Sequence, residues 1–221
     1  MSDDYRKYIT ESFGKWAPFY DLFTRPIFRI RDRVVDMIDE ENLRTVLDVC
    51  TGTGAQAFAF GERGYKVTGI DLSTDMLQIA KRKNRYPNVQ FQVADATNIP
   101  FCDNSFDISC ISFALHDMPY SIRHKVLDEM NRVSRRLVIV DYYIPQNKLK
   151  RWLYVFFTSV YESMYYRDFA KRDINELLCQ HNLAVVKEAR TFADFAQILV
   201  CQKINTKNQE RAKRGIDSKL L

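Results

Sequence analysis

The sequence predicts an α/β fold in which helices cover a doubly wound, mostly parallel sheet. Short apolar runs of strand length alternate along the chain with amphipathic segments of helical spacing, which is typical of βα units. The first strand-like run is followed by a glycine turn, Gly52-Thr53-Gly54, and then by a segment able to start a helix. Ligands of such sheets bind at the carboxyl ends of the strands, so the sequence predicts its site beside this turn.

Short apolar runs predict the strands. Val46, Leu47 and Val49 suit a buried strand that ends just before the glycine turn. Val138 and Ile139 lie at the centre of a later run with the same character. The predicted strands are Thr45–Val49, Lys66–Ile70, Val89–Ala94, Phe106–Phe113, Leu137–Tyr142, Leu183–Ala189 and Ala196–Gln202.

Helices are predicted from apolar residues at helical spacing and from capping residues. Ile30, Val34 and Ile38 share one face of the first helix. Gly64 ends the helix that follows the glycine turn, since glycine is common just after a helix. The predicted helices are Pro26–Glu40, Ala55–Arg63, a segment capped by Ser73 or Thr74 that runs to Asn84, Ile122–Val133, Lys148–Tyr166 and Asp173–His181.

The length of 221 residues and the hydrophobic fraction of 46% suit one α/β domain with a single core. We predict one domain over residues 1–203, with residues 1–40 as a helical cover, and a basic tail over residues 204–221. From Lys203 onward there are six basic and two acidic residues. Such a tail is either solvated or attracted to an anionic membrane or nucleic acid. No basic patch with interleaved aromatic residues occurs earlier, which disfavours nucleic acid as a partner.

The five cysteines show no Cys-x-x-Cys spacing, and most of them fall in apolar runs. We therefore expect buried free thiols and a reducing compartment. The N-terminus is polar and acidic, unlike a secretory signal. The most apolar window, Trp152–Val160, is far shorter than the ~20 residues that span a bilayer. These features predict a cytoplasmic protein, with peripheral contact to a membrane as a further possibility.

The glycine turn alone leaves the cofactor open. Residues Gly52–Ala57 satisfy the loose dinucleotide pattern, and Asp71 lies near the spacing of a ribose-binding acid, so a nicotinamide or flavin enzyme is one interpretation. Asp48 argues against it, because a carboxylate there would repel a pyrophosphate. S-adenosylmethionine carries a sulfonium and an ammonium group, so an acid beside it is electrostatically acceptable. Capping of the turn is the alternative role for Asp48.

Four motifs in order resemble those of the class I S-adenosylmethionine-dependent methyltransferases. They are Val46–Gly54, Gly69–Leu77, Phe91–Phe101 and Asn104–Asp107, the last followed by an apolar run. The resemblance implies a seven-stranded Rossmann-like sheet with an antiparallel last strand. It also implies S-adenosylmethionine as cofactor and S-adenosylhomocysteine as its product. Cys50 stands where the family usually has a glycine or another small residue. Cysteine is still small, but a left-handed backbone would be strained at this position.

Two further stretches narrow the resemblance. Phe13–Asp21 is similar to the N-terminal helix of the branch that methylates ubiquinone and menaquinone precursors, and of bacterial phospholipid N-methyltransferases. Thr191–Val200 resembles the same branch. The implied substrate is small and hydrophobic or lipid-like, for example a quinone precursor or a phospholipid head group. An aromatic lid would suit it, with helical core packing as the alternative. The rings concerned belong to Trp152, Tyr154, Phe156, Phe157, Tyr161, Tyr165 and Tyr166.

Site roles follow from these motifs. The glycine turn is expected to hold the methionine end of the cofactor on backbone amides, and Asp71 to accept both ribose hydroxyls. The resemblance implies that Asp95 accepts from the adenine amino group. His116 and Tyr20 are the candidate catalytic groups, since a base is needed where the nucleophile arrives protonated, and a structural role is the alternative for His116. No metal ligand is predicted. The full predicted cofactor set is Asp48, Cys50, Thr51, Gly52, Gly54, Asp71, Leu72, Met76, Asp95, Ala96 and Phe113.

Two other functions stay open at this point. An NAD(P)-dependent oxidoreductase would need a substrate domain or a catalytic Tyr/Lys pair that the sequence does not display. A non-catalytic module of the same fold would bind the cofactor and transfer no methyl group. Protection from thermal unfolding by a dinucleotide, or methyl transfer to an acceptor, distinguishes these alternatives from a methyltransferase.

Overall fold

The computed structural model describes Tyr5 and residues 28–38, 43–145, 147, 149, 151, 152, 163–191 and 195–204. The strands in this part of the chain are β1 (Thr45–Val49), β2 (Lys66–Asp71), β3 (Val89–Val93), β4 (Phe106–Ser112), β5 (Ser134–Tyr142), β6 (Leu183–Thr191) and β7 (Ala196–Lys203). The helices are α1 (Phe28–Ile38), α2 (Ala55–Glu62), α3 (Thr74–Lys83), α4 (Tyr120–Val133), α5 (Tyr166–Lys171) and α6 (Ile174–Gln180), with a 3-10 helix at Leu115–Asp117.

The described strands form one seven-stranded sheet in the order β3-β2-β1-β4-β5-β7-β6. Pairing is parallel from β3 through β5, and β7 runs antiparallel to both β5 and β6. The order reverses between β1 and β4, which opens a crevice at the carboxyl ends of these two strands. The predicted fold class and the antiparallel last strand are therefore confirmed.

Helices bury both faces of the central strands. On one face, Val46, Val67 and Ile108 pack in a cluster that includes residues of α1 and α2. On the other face, Leu47 and Ile111 pack in a cluster that includes residues of α4, α5 and α6. Successive strand residues point to opposite faces, so burial on both sides explains why these strands are apolar at nearly every position.

The structure departs from the predicted elements in several places, among them α5, whose residues Tyr166–Lys171 begin where the predicted helix ends. β5 begins at Ser134 rather than Leu137, because residues from Ser134 onward already pair with β4. The helix predicted to continue to Tyr166 is wrong at residues 163–165, which form a turn closed by the Tyr166 N–H donating to the Ser163 carbonyl at 3.2 Å. The 3-10 helix at Leu115–Asp117 was not predicted.

The cysteine prediction is partly wrong. Cys110 and Cys201 are buried, Cys50 is partly buried, and Cys102 and Cys179 are exposed. The two exposed thiols lie in a turn and on the outer side of α6, where a neighbouring apolar residue in the sequence does not mean burial.

Several predicted features lie outside the described residues. They are the cover residues 1–27 apart from Tyr5, the tail from residue 205 onward, and the side chains of Tyr20, Tyr154, Phe156, Phe157 and Tyr161. Among the described helices, none combines the length and the apolar character needed to cross a bilayer.

Candidate functional site

The turn after β1 is built from backbone hydrogen bonds and two left-handed glycines, Gly52 and Gly54. The Thr51 N–H donates to the Ile70 carbonyl, which ties the turn to β2, and the Gly54 N–H donates to the Thr51 carbonyl, both at 2.9 Å. Gly54 is the N-cap of α2 with φ +84°. A Cβ atom on Gly54 would lie 2.8 Å from the Cζ atom of Phe91, so both backbone conformation and packing require glycine here.

Asp71 joins this turn to the loop that follows β2. Its two carboxylate oxygens accept from the Gly52 N–H and the Ser73 N–H, each at 2.9 Å. Ser73 in turn caps α3 by accepting from the Met76 N–H at 3.3 Å. Burial raises the pKa of Asp71, and the N–H groups of Ser73 and Gly52 counteract part of that rise. Each carboxylate oxygen has a second lone pair, so Asp71 keeps acceptor capacity for a ligand.

A cavity of about 780 Å³, part of it open to solvent, lies beside the turn at the carboxyl ends of the strands. Most of the predicted cofactor residues line it, namely Cys50, Gly52, Asp71, Leu72, Met76, Asp95, Ala96 and Phe113. The Asp95 carboxylate is oriented by the backbone N–H and the hydroxyl of Thr97, at 2.8 and 2.7 Å. The structure therefore brings the end of β1, the end of β2 and the loop after β3 to one cavity.

Asp48, Thr51 and Gly54 do not line the cavity, and for Asp48 this corrects the sequence argument. Its side chain is buried beneath the turn, where it accepts from the Thr51 hydroxyl at 2.5 Å. Burial raises the pKa of Asp48 from 3.8 to about 7. Its role is the alternative given above, capping of the turn. Its charge is therefore not what excludes a pyrophosphate.

Two strained residues face the cavity. Cys50 and Phe113 follow the carboxyl ends of β1 and β4 with φ of +56° and +50°. Left-handed backbone is uncommon for such side chains and persists only where the surrounding structure enforces it. The strain expected for a left-handed Cys50 is present. Burial also raises the pKa of the Cys50 thiol well above its ordinary value, so the thiol is neutral and a weak nucleophile.

His116 is placed behind the cavity rather than on its wall. Its Nδ1 atom lies 2.7 Å from the Asp141 carboxylate, and its backbone N–H donates to the same carboxylate at 3.2 Å. The imidazole is buried and packs edge-on against Tyr142, with ring centroids 4.8 Å apart. This arrangement favours the structural alternative for His116. Tyr20, the other candidate, lies outside the described residues.

The structure adds lining residues that the sequence argument missed. One group lies where β4 ends and α4 begins, and the others come from Tyr5, β2 and the loop after β3. They are Tyr5, Ile70, Ala94, Thr97, Ser112, Ala114, Asp117, Met118, Ile122 and Val126. A signal for the first group existed, since the carboxyl end of β4 flanks the reversal of strand order. The sequence gives no comparable signal for Tyr5, which is far from any motif.

The charged residues that line the cavity indicate which cofactor fits it. Among the described lining residues Asp71, Asp95 and Asp117 are acidic, and no lysine or arginine occurs. A pyrophosphate would meet repulsion without a compensating cation, whereas a sulfonium and an ammonium group would be attracted. The residues present therefore fit S-adenosylmethionine, with Asp71 as an acceptor for its ribose.

Comparisons with known proteins agree with this geometry. The family described as "Methyltransferase domain" matches residues 46–136. The demethylmenaquinone methyltransferase of Thermotoga maritima is 36% identical over 158 residues, which cover 67% of each chain. That of Paenarthrobacter aurescens is 38% identical over 154 residues, 66% of this chain and 59% of the relative. The chain thus spans about three fifths of the length of this last relative.

Solved structures show the same fold at low identity. A chain of the Haloferax volcanii complex between the Trm112 methyltransferase activator and a methyltransferase has a TM-score of 0.69 at 16% identity. The alignment covers 89% of this chain and 97% of the other. The magnesium protoporphyrin IX methyltransferase of Synechocystis, solved with bound S-adenosylhomocysteine, has a TM-score of 0.63 at 17% identity and covers 80% and 81%. On sequence, fold and site together, the chain belongs to the class I S-adenosylmethionine-dependent methyltransferases.

Proposed function

We propose that this protein methylates a small, hydrophobic, lipid-like acceptor of the quinone-precursor class. The observation that carries the proposal is a cavity with acidic and apolar lining at the reversal of strand order. The names of the relatives support the acceptor class, since they describe demethylmenaquinone and ubiquinone/menaquinone methyltransferases. Ala94, Ala114, Met118 and Ile122 provide apolar surface for such an acceptor.

In this function the protein binds the cofactor and the acceptor, orients them and excludes water. S-adenosylmethionine supplies an activated methyl group when bound. The turn at Gly52 lies beside the methionine end of the cofactor, Asp71 holds the ribose hydroxyls and Asp95 holds the adenine amino group. Alignment of acceptor and methyl group by such residues is worth about 7–11 kcal/mol of the activation barrier.

Peripheral contact with a membrane is part of the proposal. Lipid-like acceptors reside in membranes, and Leu149, Trp152 and Met164 are exposed large apolar side chains on this protein. Apolar side chains of this kind insert at the headgroup boundary, and basic residues nearby strengthen binding to anionic lipid. A cytoplasmic location agrees with this arrangement and stays a proposal.

Methyl transfer tests the proposal directly. Purified protein is incubated anaerobically with radiolabelled S-adenosylmethionine and a reduced naphthoquinol that carries a short prenyl chain. We expect label in the naphthoquinol fraction. Phosphatidylethanolamine vesicles in a parallel reaction test the phospholipid alternative. Binding of the labelled cofactor without transfer to either acceptor would favour a non-catalytic module. Protection from thermal unfolding by NAD⁺ alone would favour the oxidoreductase.

Asp71→Ala provides a matched variant for the same assay. Loss of a charge-assisted pair of hydrogen bonds should weaken binding of S-adenosylhomocysteine by roughly 2–4 kcal/mol. Asp75→Ala is the control, since Asp75 is an exposed acid four residues away on α3. Equal calorimetric affinities for the two variants would contradict the assigned role of Asp71.

A further inference from the structure

One wall of the cavity is formed by the segment that joins β4 to α4, residues 112–119. Ser112, Phe113, Ala114, Asp117 and Met118 of this segment line the cavity. The carboxylates of Asp71 and Asp95 are taken up by the cofactor in the proposed function. Among the described lining residues, Asp117 is therefore the remaining carboxylate on the cavity wall.

The β4–α4 segment is anchored by its neighbours. Asp141, at the end of β5, accepts from the backbone N–H and lies against the Nδ1 atom of His116. Arg123 of α4 donates from Nε to the Leu115 carbonyl at 2.9 Å. The Tyr5 hydroxyl donates to the Asp117 carbonyl at 3.3 Å. These contacts reach Leu115, His116 and Asp117, so they fix the position from which the Asp117 side chain leaves the backbone.

Arg123 is itself held rigidly. Its guanidinium is only 1% exposed and donates to the Asp168 carboxylate at 3.0 Å and to the Tyr165 carbonyl at 3.2 Å. A buried charge of this kind is stable only when its hydrogen bonds are satisfied, so the frame around the segment has little freedom. Groups that act on a substrate must be held within a fraction of an ångström, and this frame provides such support.

We propose that Asp117 is a catalytic residue that contacts the hydroxyl of the methyl acceptor and takes its proton, while His116 and Asp141 are positioning residues. The inference rests on the proposed function. The hydroxyl proton passes to the Asp117 carboxylate, and the neighbouring ring carbon forms the bond to the methyl carbon. The carbon–sulfur bond breaks with its electron pair going to sulfur. The methylated carbon then loses its hydrogen as a proton and the acceptor oxygen regains one.

Proton transfer is assigned to Asp117 and positioning to His116 because of the surroundings of each side chain. His116 presents Nδ1 to Asp141 and its ring to Tyr142, Tyr166 and Phe169, in the protein interior. Asp117, one residue later, lies on the cavity wall. An acceptor in the cavity therefore meets Asp117 on the wall, whereas the His116 ring lies behind that wall against the Asp141 carboxylate.

Asp117→Asn tests the catalytic role, with Glu176→Gln as a control on the exposed side of α6. Turnover of the short-chain naphthoquinol should fall about 100-fold or more in Asp117→Asn, the range typical of a lost acid–base group. The affinity for S-adenosylhomocysteine should stay within about twofold of wild type. Unchanged turnover would overturn the inference and leave the proposed function intact.

His116→Asn and His116→Phe test the positioning role. The Asn side chain keeps an N–H that can donate to Asp141, whereas Phe keeps only the ring packing. We expect His116→Asn to retain turnover within about tenfold of wild type and His116→Phe to lose far more. Equal, large losses in both variants would identify His116 as the base and overturn the assignment.

Measuring naphthoquinol binding distinguishes a wrong role for Asp117 from a wrong proposed function. Affinity for the naphthoquinol is measured on protein saturated with S-adenosylhomocysteine. If wild type binds it without methylating it, the proposed function fails. Weaker binding by Asp117→Asn would then still support Asp117 as the acceptor contact, and equal binding would overturn it. A wild-type protein that neither binds nor methylates the naphthoquinol overturns both.

Discussion

Two acidic residues beside the glycine turn differ in how deeply they are buried. Asp71 lines the cavity and holds two backbone N–H groups, while Asp48 is buried beneath the same turn with its pKa raised to about 7. The first acid therefore presents its carboxylate group to a ligand. The other, near neutral pH, is protonated in a substantial fraction of molecules and serves the turn.

The raised pKa of Asp48 predicts a pH dependence of stability. Between 3.8 and about 7 the folded state holds a proton on Asp48 that the unfolded state has lost. The stabilisation is complete below the lower value and is lost as pH rises through about 7, because the folded state binds more protons. Relative to Asp48→Asn, the wild type should lose up to ~1.4 kcal/mol per pH unit in this window.

Urea unfolding of both proteins from pH 4 to pH 8 measures this difference. Asp75→Asn, an exposed change on α3, is the control and should follow the wild type at every pH. Parallel stability curves for the wild type and Asp48→Asn would contradict the raised pKa.

Where the family pattern fixes a residue, sequence reasoning anticipated the cavity lining, and the cofactor-binding roles stay predictions. Asp71, Asp95 and Phe113 were predicted to bind the cofactor, and each lines the cavity. The same pattern predicted that Asp48 binds the cofactor. Its burial depends on how the turn folds over β1, and the residue types alone do not reveal this. Asp117 was missed because nothing in a local stretch tells which of two adjacent residues, His116 or Asp117, points toward the cavity.

Among the elements, the turn between β1 and α2 places the strictest demand on the sequence. Gly54 and Gly64 both have φ of +84°, but a Cβ would meet Phe91 and Phe58 at Gly54 and open space at Gly64. Substitution at the two positions therefore separates backbone strain from crowding.

Gly54→Ala should be more destabilising than Gly64→Ala. Both variants lose about 1–2 kcal/mol from a left-handed alanine. Gly54→Ala should lose a further ~1–3 kcal/mol, since the aromatic rings of Phe91 and Phe58 must move. Chemical denaturation measures the two free energies of unfolding. Equal losses would mean that the rings yield without cost.

Element boundaries were predictable where an apolar run begins or ends sharply. The bounds of β1 were predicted as observed, and those of β2 and β3 differ by one residue at one end. β5 begins earlier than predicted because Arg135 and Arg136 look like loop residues, although pairing with β4 draws them into the sheet. The helix expected through residues 163–165 reflects aromatic residues whose spacing is helical, whereas the Ser163 side chain and carbonyl close a turn there.

At the scale of the whole molecule, the cavity lining and the chain as a whole carry charge of opposite sign. The cavity lining is acidic where it carries charge, although the chain as a whole has a net charge of +5. The positive excess is therefore on other parts of the chain, and much of it follows Lys203 in the sequence. In the proposed membrane contact, basic residues outside the cavity lining would supply the attraction to anionic lipid.

Trp152→Ala combined with Met164→Ala should weaken binding to vesicles of mixed phosphatidylcholine and phosphatidylglycerol. These side chains are 62% and 77% exposed, and burial of an apolar side chain at the lipid boundary is worth about 1.5–3 kcal/mol when complete. We expect about tenfold less protein in the pellet after co-sedimentation. Val186→Ala, at an exposed apolar position on β6, is the control. Equal sedimentation of all three proteins would remove these residues from a lipid contact.

The neutral thiol of Cys50 bears on how such a cavity tolerates electrophiles. Thiolates add readily to oxidised quinones. An enzyme that acts on quinols, as proposed here, meets the oxidised form whenever oxygen is present. Cys50 lines the cavity, but its raised pKa leaves almost none of it ionised at neutral pH. The raised pKa therefore slows arylation of Cys50, the residue that departs from the family pattern.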